Sequence, residues 1–274
     1  MIYRTVMVQL DLDGAPEPRI RFALELAGRF EADLIGFCAA QPHTSVAPMD
    51  GAIVSAELMQ RESEEIEARL KEIGQAFESI AGVGESVSFR GSVGDPTRLF
   101  AENARAADLL VTGIPKEGTH DTFRSPDLGT LILSAGRPVL VASGSQEPLK
   151  AERVLVAWKD TREARRAVID AMPFLAHAND VLVATVDEDD RIRSKESLAD
   201  VVRFLMKHGV AARSECLLPA DEEFSDTLST TAFEMGADLI VSGGYGHSRL
   251  REWAFGGVTR RLLHASSVNR LLSN

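Results

Sequence analysis

Short apolar runs alternate with longer amphipathic segments along the whole chain. Thr5–Leu10 and Arg153–Trp158 are each an apolar, partly β-branched run that leads into a polar turn, which is typical of a first strand. In the segment after each run, apolar residues recur at intervals close to those of a helix turn, which predicts a helix. Second strands are predicted at Asp33–Cys38 and Asp180–Val186. The order strand, helix, strand therefore occurs twice.

The later part of each half repeats even more closely. Residues 106–113, AADLLVTG, align with residues 236–243, GADLIVSG, and the offset between them stays constant to the end of each half. A helix is predicted before each of these strands, from Pro96 to Ala106 and from about Glu222 to Met235. Asp95 stands where a helix-capping residue is favoured, and proline is favoured at the first helical position.

One further helix is predicted between the second and third strands of each half. It is long in the first half, Val54–Ile80, and shorter in the second, Ser194–His208. Alternating strands and helices predict a parallel sheet, because parallel neighbours need crossover connections, and these place helices on both faces. The predicted fold class is α/β, with two tandem Rossmann-like domains, each a five-stranded parallel sheet sandwiched by helices.

A polar stretch at 143–150 has the composition of a linker and lies between the two repeats. The domains are therefore predicted at residues 1–145 and 151–274.

Composition and charge exclude several classes of protein. With 45% hydrophobic and 26% charged residues, the chain has a globular composition and is neither disordered nor fibrous. Its apolar runs have the length of strands, and its first residues lack the features of a secretion signal, so we expect a cytoplasmic protein with no membrane partner. The formal net charge of -11 argues against a nucleic-acid partner bound through many phosphates.

Cysteine and histidine positions give no sign of a redox pair or of a metal site. Cys38 and Cys216 have no Cys-x-x-Cys neighbour and are interpreted as small apolar residues in a reducing compartment. The six histidines have no spacing that a helix would bring to one face, so no metal site is predicted.

The candidate chemistry lies in a glycine-rich segment after the fourth strand of the second half. Residues 243–257, GGYGHSRLREWAFGG, contain two glycine clusters, and the second cluster opens a predicted helix. Ligands of open parallel sheets bind beyond the carboxyl ends of the strands. Backbone amides that glycine leaves accessible, and those at a helix start, attract oxyanions. Arginines at 249, 251, 260 and 261 make this region locally basic, and the segment therefore predicts a phosphate-binding loop.

This loop resembles that of the universal stress protein family. The nucleotide-binding members of that family carry Gly-x-x-Gly-x9-Gly-Ser/Thr after the fourth strand of a Rossmann-like, adenine nucleotide alpha hydrolase-like fold. Gly243, Gly246 and Gly256 match the motif, whereas Gly257 stands where the family has Ser or Thr. The resemblance covers nearly the whole chain as a tandem pair of domains. It implies a stress-response protein that binds ATP or another adenine nucleotide, with Mg²⁺ only if ATP is bound.

The resemblance also implies which residues form the nucleotide site. They lie at the ends of the first, second and fourth strands of the second domain and in the glycine loop: Ala157, Lys159, Val186, Gly243, Gly246, Arg249, Gly256, Gly257, Val258 and Thr259. Members of the family that bind ATP usually have Asp at the end of the first strand, where this chain has Lys159, followed by Asp160. Two interpretations stay open, since Lys159 either contacts phosphate or marks a loss of binding.

The first half has the acid but lacks most of the glycines. Asp11 occupies the end of its first strand, while Lys116, Pro126 and Asp127 replace glycines of the loop. An aspartate at the start of the helix would repel a phosphate and interact with the helix end itself. We therefore expect no nucleotide in this half.

Two other functions compete with nucleotide binding. As an enzyme, the chain would use residues 242–248, SGGYGHS, which superficially resemble an ATP pyrophosphatase loop or a dinucleotide fingerprint, but both of those follow a first strand. No nucleophile or carboxylate can be paired with His247, so no catalytic residue is predicted, and at most slow ATP hydrolysis is expected. The other alternative is a dimeric scaffold that binds no nucleotide and acts through protein contacts.

The last strand of each half bears on assembly, because relatives pair through it. Val139–Val141 is apolar, whereas Asn269 and Arg270 interrupt the corresponding run in the second half and are expected to discourage pairing. A homodimer or an intramolecular pseudo-dimer is therefore expected to use Val139–Val141.

Overall fold

The computed structural model describes residues 2–43, 52–114, 121–144, 147–186, 191–218, 224–244 and 268–274. The chain forms two compact units. The first unit is Arg4–Ala135, and the second unit combines Met1–Tyr3 with Gly136–Asn274. The chain thus passes from the first unit to the second between Ala135 and Gly136, and the domains 1–145 and 151–274 stay a prediction about the sequence repeat.

The first unit is a parallel sheet with strand order β3-β2-β1-β4 in its described part. Its strands are β1 (Thr5–Gln9), β2 (Asp33–Ala40), β3 (Val87–Val93) and β4 (Leu109–Thr112). Its helices are α1 (Glu17–Phe30), α2 (Ala52–Ala81), α3 (Pro96–Asn103), which a short 3₁₀ helix continues over Ala104–Ala106, and α4 (Leu128–Ser134). As predicted, the side chain of Asp95 caps α3, since it accepts a hydrogen bond of 3.0 Å from the amide of Arg98.

The second unit has the strand order β5-β10-β9-β6-β7-β8. Its strands are β5 (Val139–Val141), β6 (Arg153–Ala157), β7 (Asp180–Val186), β8 (Ala212–Leu217), β9 (Leu239–Gly243) and β10 (Asn269–Ser273). Its helices are α5 (Arg162–Leu175), α6 (Arg191–Lys207) and α7 (Phe224–Glu234). The α/β fold class is confirmed, and α6, with 17 residues against the 30 of α2, is the shorter helix that the sequence predicts.

The strand β5 departs from the predicted arrangement. It comes from the end of the first sequence half, yet it belongs to the second unit, where it runs antiparallel to β10. Leu140 lies opposite Leu271 in this register, and Val139 lies opposite Leu272. The sheet of the second unit is therefore parallel everywhere except at this one pair of strands.

The expectation that Asn269 and Arg270 discourage pairing is wrong, because β10 has a hydrogen-bonded neighbour on each side. Asn269 is buried, and its polar atoms are used: Oδ1 accepts a hydrogen bond from the amide of Ser143 (2.9 Å), and Nδ2 donates one to the carbonyl of Asp238 (3.2 Å). Arg270 is also buried, and this burial lowers the pKa of its guanidinium to about 10. A polar residue in a strand is accommodated when its groups find partners.

The second unit also includes the start of the chain. The hydroxyl of Tyr3 donates a hydrogen bond of 2.5 Å to the carbonyl of Asp170, and its ring packs against Phe174 with centroids 5.6 Å apart. These contacts bind the first residues to α5 and explain why they group with the second unit.

Cys38 is buried, as interpreted from the sequence, and burial raises the pKa of its thiol to about 12. Cys216 is half-buried, and both thiols are free. Among the described helices, none combines the length and the apolar character needed to cross a membrane.

Candidate functional site

Three strand ends of the second unit meet where the sequence predicts the nucleotide site. Ala157, the last residue of β6, lies opposite Ala184 of β7 on one side and Ser242 of β9 on the other. Because the three strands are parallel, their carboxyl ends form one edge of the sheet. This edge brings Ala157 and Gly243 together, and Val186 ends the adjoining strand.

Gly243 is required by packing. A Cβ at this position would lie 2.6 Å from the amide nitrogen of Ala164 and 2.7 Å from the carbonyl carbon of Glu163, both of which are backbone atoms. The start of α5 therefore touches the end of β9 so closely that no side chain fits between them. The first glycine of the motif thus has a structural role whatever the loop binds.

Lys159 lies on the surface, two residues beyond the end of β6. Its carbonyl accepts a hydrogen bond of 2.6 Å from the amide of Thr161, the residue that caps α5. The neighbouring Asp160 is exposed and forms an ion pair with Arg165. The indole of Trp158 turns to α6 instead and donates a hydrogen bond of 2.9 Å to the hydroxyl of Ser197.

The remaining predicted site residues, Gly246, Arg249, Gly256, Gly257, Val258 and Thr259, lie outside the described residues. Their roles stay predictions from the sequence.

In the first unit, the corresponding edge is filled by a buried arginine. Nη1 of Arg19 donates hydrogen bonds to the carbonyl of Gln9 (3.1 Å) and to its Oε1 (2.8 Å), and Nη2 donates one to Oδ2 of Asp11 (2.9 Å). Oε1 of Gln9 also accepts a hydrogen bond of 3.2 Å from the hydroxyl of Thr112. The guanidinium lies against Gly113, where a Cβ would stand only 2.1 Å from Nη2.

The two units differ at equivalent positions of this edge. Gln9 and Ala157 each end the first strand. Arg19 and Glu163 are each a buried charged residue near the start of the following helix, and they lie beside the equivalent glycines Gly113 and Gly243. Thr112 and Ser242 correspond through the constant offset of the sequence repeat. The second unit thus keeps the hydroxyl and has alanine in place of the glutamine, and it has the buried Glu163 where the first unit has the arginine.

The start of α4 in the first unit is capped by the side chain of Asp127. Oδ1 of Asp127 accepts hydrogen bonds from the amide of Thr130 (2.8 Å) and from its hydroxyl (2.6 Å). The expectation that Asp127 interacts with the helix end is confirmed.

A cluster of charged side chains lies beyond the end of β2 in the first unit. Nδ1 of His43 lies 2.6 Å from Oε1 of Glu62 in α2, and Nε2 lies 2.8 Å from Oδ2 of Asp121. Arg124 pairs with the same Glu62 oxygen, and the ring of His43 stacks on Phe123 with centroids 5.1 Å apart. The hydrogen bonds with Asp121 and Glu62 raise the pKa of His43. Burial opposes the ionisation of Glu62 and Asp121, but hydrogen bonds with His43 outweigh it and lower the pKa of both carboxyls.

A cavity of about 570 Å³ lies between α5 and α6 of the second unit. Trp158, Val168, Val201 and Phe204 give it an apolar lining, and charged side chains, among them Glu196, border it. Within the described part of the chain, none of the predicted site residues lines this cavity. Likewise, no three His, Cys, Asp or Glu side chains of the described residues are grouped so that they could hold a metal ion.

Comparison with known proteins identifies the fold. A model of the universal stress protein family matches residues 2–143. A universal stress protein of Archaeoglobus fulgidus DSM 4304 is similar in structure, with a TM-score of 0.68 and 14% identity over 98% of this chain and 96% of that one. A putative universal stress protein of Pseudomonas aeruginosa UCBPP-PA14 has a TM-score of 0.58 and 18% identity over 99% and 93% of the two chains. No curated protein matches the chain.

Sequence reasoning missed two residues of this edge, Arg19 and Ser242. Arg19 reads as one of many solvated helix charges, and only the structure shows that it is buried. Ser242 could have been found, because the constant offset already aligns it with Thr112.

Proposed function

The chain belongs to the universal stress protein family, and we propose that its second unit binds ATP or another adenine nucleotide while its first unit binds none. The observation that carries this proposal is the contrast between the two sheet edges. Arg19 and Gln9 fill the edge of the first unit. In the second unit, Ala157 replaces Gln9, and the residues of α5 that lie against Gly243 are Glu163 and Ala164 rather than an arginine.

The first unit does not fit a nucleotide. Its site edge holds a guanidinium that is already bound to Asp11 and Gln9. At its helix start, the carboxylate of Asp127 uses the free amide that an anion would need, and its negative charge repels a phosphate.

The second unit fits a nucleotide better than the first unit does. Alanine at 157 removes the glutamine side chain that helps to fill the edge of the first unit, and the glycine-rich run begins at Gly243, beside this edge. In the proposed site, Ala157 and Val186 lie towards the base and ribose, and Lys159 contacts phosphate. Gly246, Gly256, Gly257, Val258 and Thr259 supply backbone amides to the phosphates, and Arg249 supplies a positive charge. Mg²⁺ accompanies the phosphates only when the ligand is ATP.

We also propose that the chain acts as an intramolecular pseudo-dimer in the cytoplasm. The antiparallel pairing of β5 with β10, the last strands of the two sequence halves, supports this assembly over a homodimer made through the same strands. The free thiols of Cys38 and Cys216 are consistent with a reducing compartment.

Thermal unfolding of the full-length protein with and without ATP, ADP or AMP tests the binding proposal. A ligand at 100 times its dissociation constant stabilises the folded protein by about 2.7 kcal/mol. Gly246→Asp places a carboxylate in the proposed phosphate loop and should abolish the shift. The matched control, Lys116→Asp in the first half, should leave it intact.

If no nucleotide shifts the wild-type transition, the proposal fails and a protein-contact scaffold becomes the better account. The hydrogen-bonded Arg19 at the edge of the first unit supports that alternative. Product analysis after long incubation with ATP would detect the slow hydrolysis that a weak ATPase would show.

A further inference from the structure

Ser242 is a buried hydroxyl without a hydrogen-bond partner among the described residues. It is 2% exposed, and its Oγ is inaccessible to solvent. A buried polar group that has no partner is unfavourable, and such groups are rare in native proteins. Ser242 is the penultimate residue of β9 and lies directly opposite Ala157 of β6.

The first unit shows what this position lacks. There, the equivalent hydroxyl of Thr112 donates to Oε1 of Gln9, which also accepts from Arg19. In the second unit, Ala157 takes the place of Gln9, so the hydroxyl remains while the side chain that accepts from it is gone.

We infer that the Oγ of Ser242 is a hydrogen-bonding position for the nucleoside part of the ligand, a residue that no motif assigns. This inference rests on the proposed function and adds a specificity-determining contact to it. The structure places the hydroxyl at the edge where the base and ribose are proposed to lie, before the glycine loop begins.

The surroundings of Ser242 favour an uncharged ligand group. Ser242 follows Ile240 by two residues, so both lie on the same face of β9, and Ile240 belongs to an apolar cluster with Ala157, Ala184 and Ala232. A phosphate brought against this cluster would lose hydration that one hydroxyl cannot replace. A ribose hydroxyl or a nitrogen of the base loses much less, and Ser242 can either donate to it or accept from it.

Calorimetric titration of the full chain with AMP and with ATP tests the inference in the variant Ser242→Ala. Loss of one neutral hydrogen bond should weaken binding by about 2- to 10-fold. The loss should be the same for AMP and ATP, because the two share the nucleoside. Without ligand, the melting temperature should stay the same or rise, since the change removes an unpaired group.

The matched control is Thr112→Ala, which removes the equivalent hydroxyl where it has a partner. This variant should melt at a lower temperature and bind nucleotide as the wild type does.

Each result decides between the two proposals. If the wild type binds neither nucleotide, the proposed function fails and this inference fails with it. If the wild type binds and Ser242→Ala binds equally well, only the inference is overturned. A loss confined to ATP would assign the contact to phosphate, and a clear drop in the melting temperature of ligand-free Ser242→Ala would show a structural partner. Both of these outcomes also overturn the inference.

Discussion

The guanidinium of Arg19 occupies the space that a side chain at position 113 would need, because its Nη2 lies 2.1 Å from the Cβ position of Gly113. The arginine is held there by Gln9 and Asp11. Gly113 and Gly243 are equivalent in the sequence repeat, and neither has room for a side chain as the structure stands. At Gly113 the space is occupied by the side chain of Arg19, and at Gly243 it is occupied by the backbone of α5.

Gly113→Ala should destabilise the protein, because the new methyl group displaces Arg19 from its hydrogen bonds. We expect the free energy of unfolding in urea to fall by about 1–3 kcal/mol. Gly28→Ala is the control, since a Cβ at this exposed position in α1 meets no atom within 4 Å. That substitution should stabilise the helix by about 0.5–1 kcal/mol. Equal stability of Gly113→Ala and the wild type would show that Arg19 moves without cost.

Asp127→Ala should remove the cap of α4. The expected loss is about 1 kcal/mol of unfolding free energy, because the amide of Thr130 loses its acceptor. Asp127→Asn keeps an equivalent acceptor and should retain most of the stability. If Asn destabilised the protein as much as Ala does, the negative charge rather than the cap would be the source of the effect.

The His43 cluster should make stability depend on pH. The pKa of His43 is raised above 6.5 in the folded protein, so its contribution is complete below about pH 6.5 and is lost as the pH rises through the raised pKa. The pKa values of Glu62 and Asp121 are lowered, so their contribution is present above about pH 4.5 and is lost as the pH falls through the lowered values. The cluster should therefore stabilise most between about pH 4.5 and 6.5.

His43→Gln should flatten the fall in unfolding free energy as the pH rises above about 6.5. The difference from the wild type should be about 1 kcal/mol or less, because the His43 side chain is 48% exposed and solvent screens the pair. His208→Gln serves as the control, since the Nδ1 of His208 contacts the carbonyl of Phe204 rather than a carboxylate. If both variants kept the wild-type slope, the His43 cluster would not be the titrating element.

Ala157→Gln should close the proposed site by restoring the residue of the first unit. A glutamine here would give Ser242 the acceptor that Gln9 gives Thr112, and it would occupy the place of the nucleoside. We expect nucleotide affinity to fall at least about tenfold, or ~1.4 kcal/mol, while circular dichroism shows a folded protein.

The converse substitution, Gln9→Ala, should not create a second site, because Arg19 still fills the first edge. If Ala157→Gln bound nucleotide with unchanged affinity, the base and ribose would not bind at the end of β6.

The elements of the fold were largely predictable, because they follow from local patterns. The periodicity predicts β7 at Asp180–Val186, where the structure has it, and α2 within two residues at each end. The cap at Asp95 was also predictable, since its side chain bonds to an amide three residues away. The partner of β5 was not, because pairing between distant strands depends on the burial of groups such as Asn269, whose partners come from elsewhere in the chain.

The site was predictable only in part. Glycine spacing locates the loop, but it does not distinguish a glycine that binds a ligand from one that packs, and Gly243 packs against Ala164. The buried positive charge at the edge of the first unit was also not predictable from the sequence. The burial of Arg19 depends on hydrogen bonds to both Gln9 and Asp11, which only the folded chain brings together.

The antiparallel pair of β5 and β10 has a consequence for how the two halves can be separated. A fragment that begins at the second sequence repeat would leave Val139–Val141 behind and expose the main-chain groups of Arg270 and Leu272 that face it. An exposed strand edge of this kind favours association with other molecules. The repeat as written in the sequence is therefore not an autonomous piece, and a cut that keeps this border covered has to fall before Gly136.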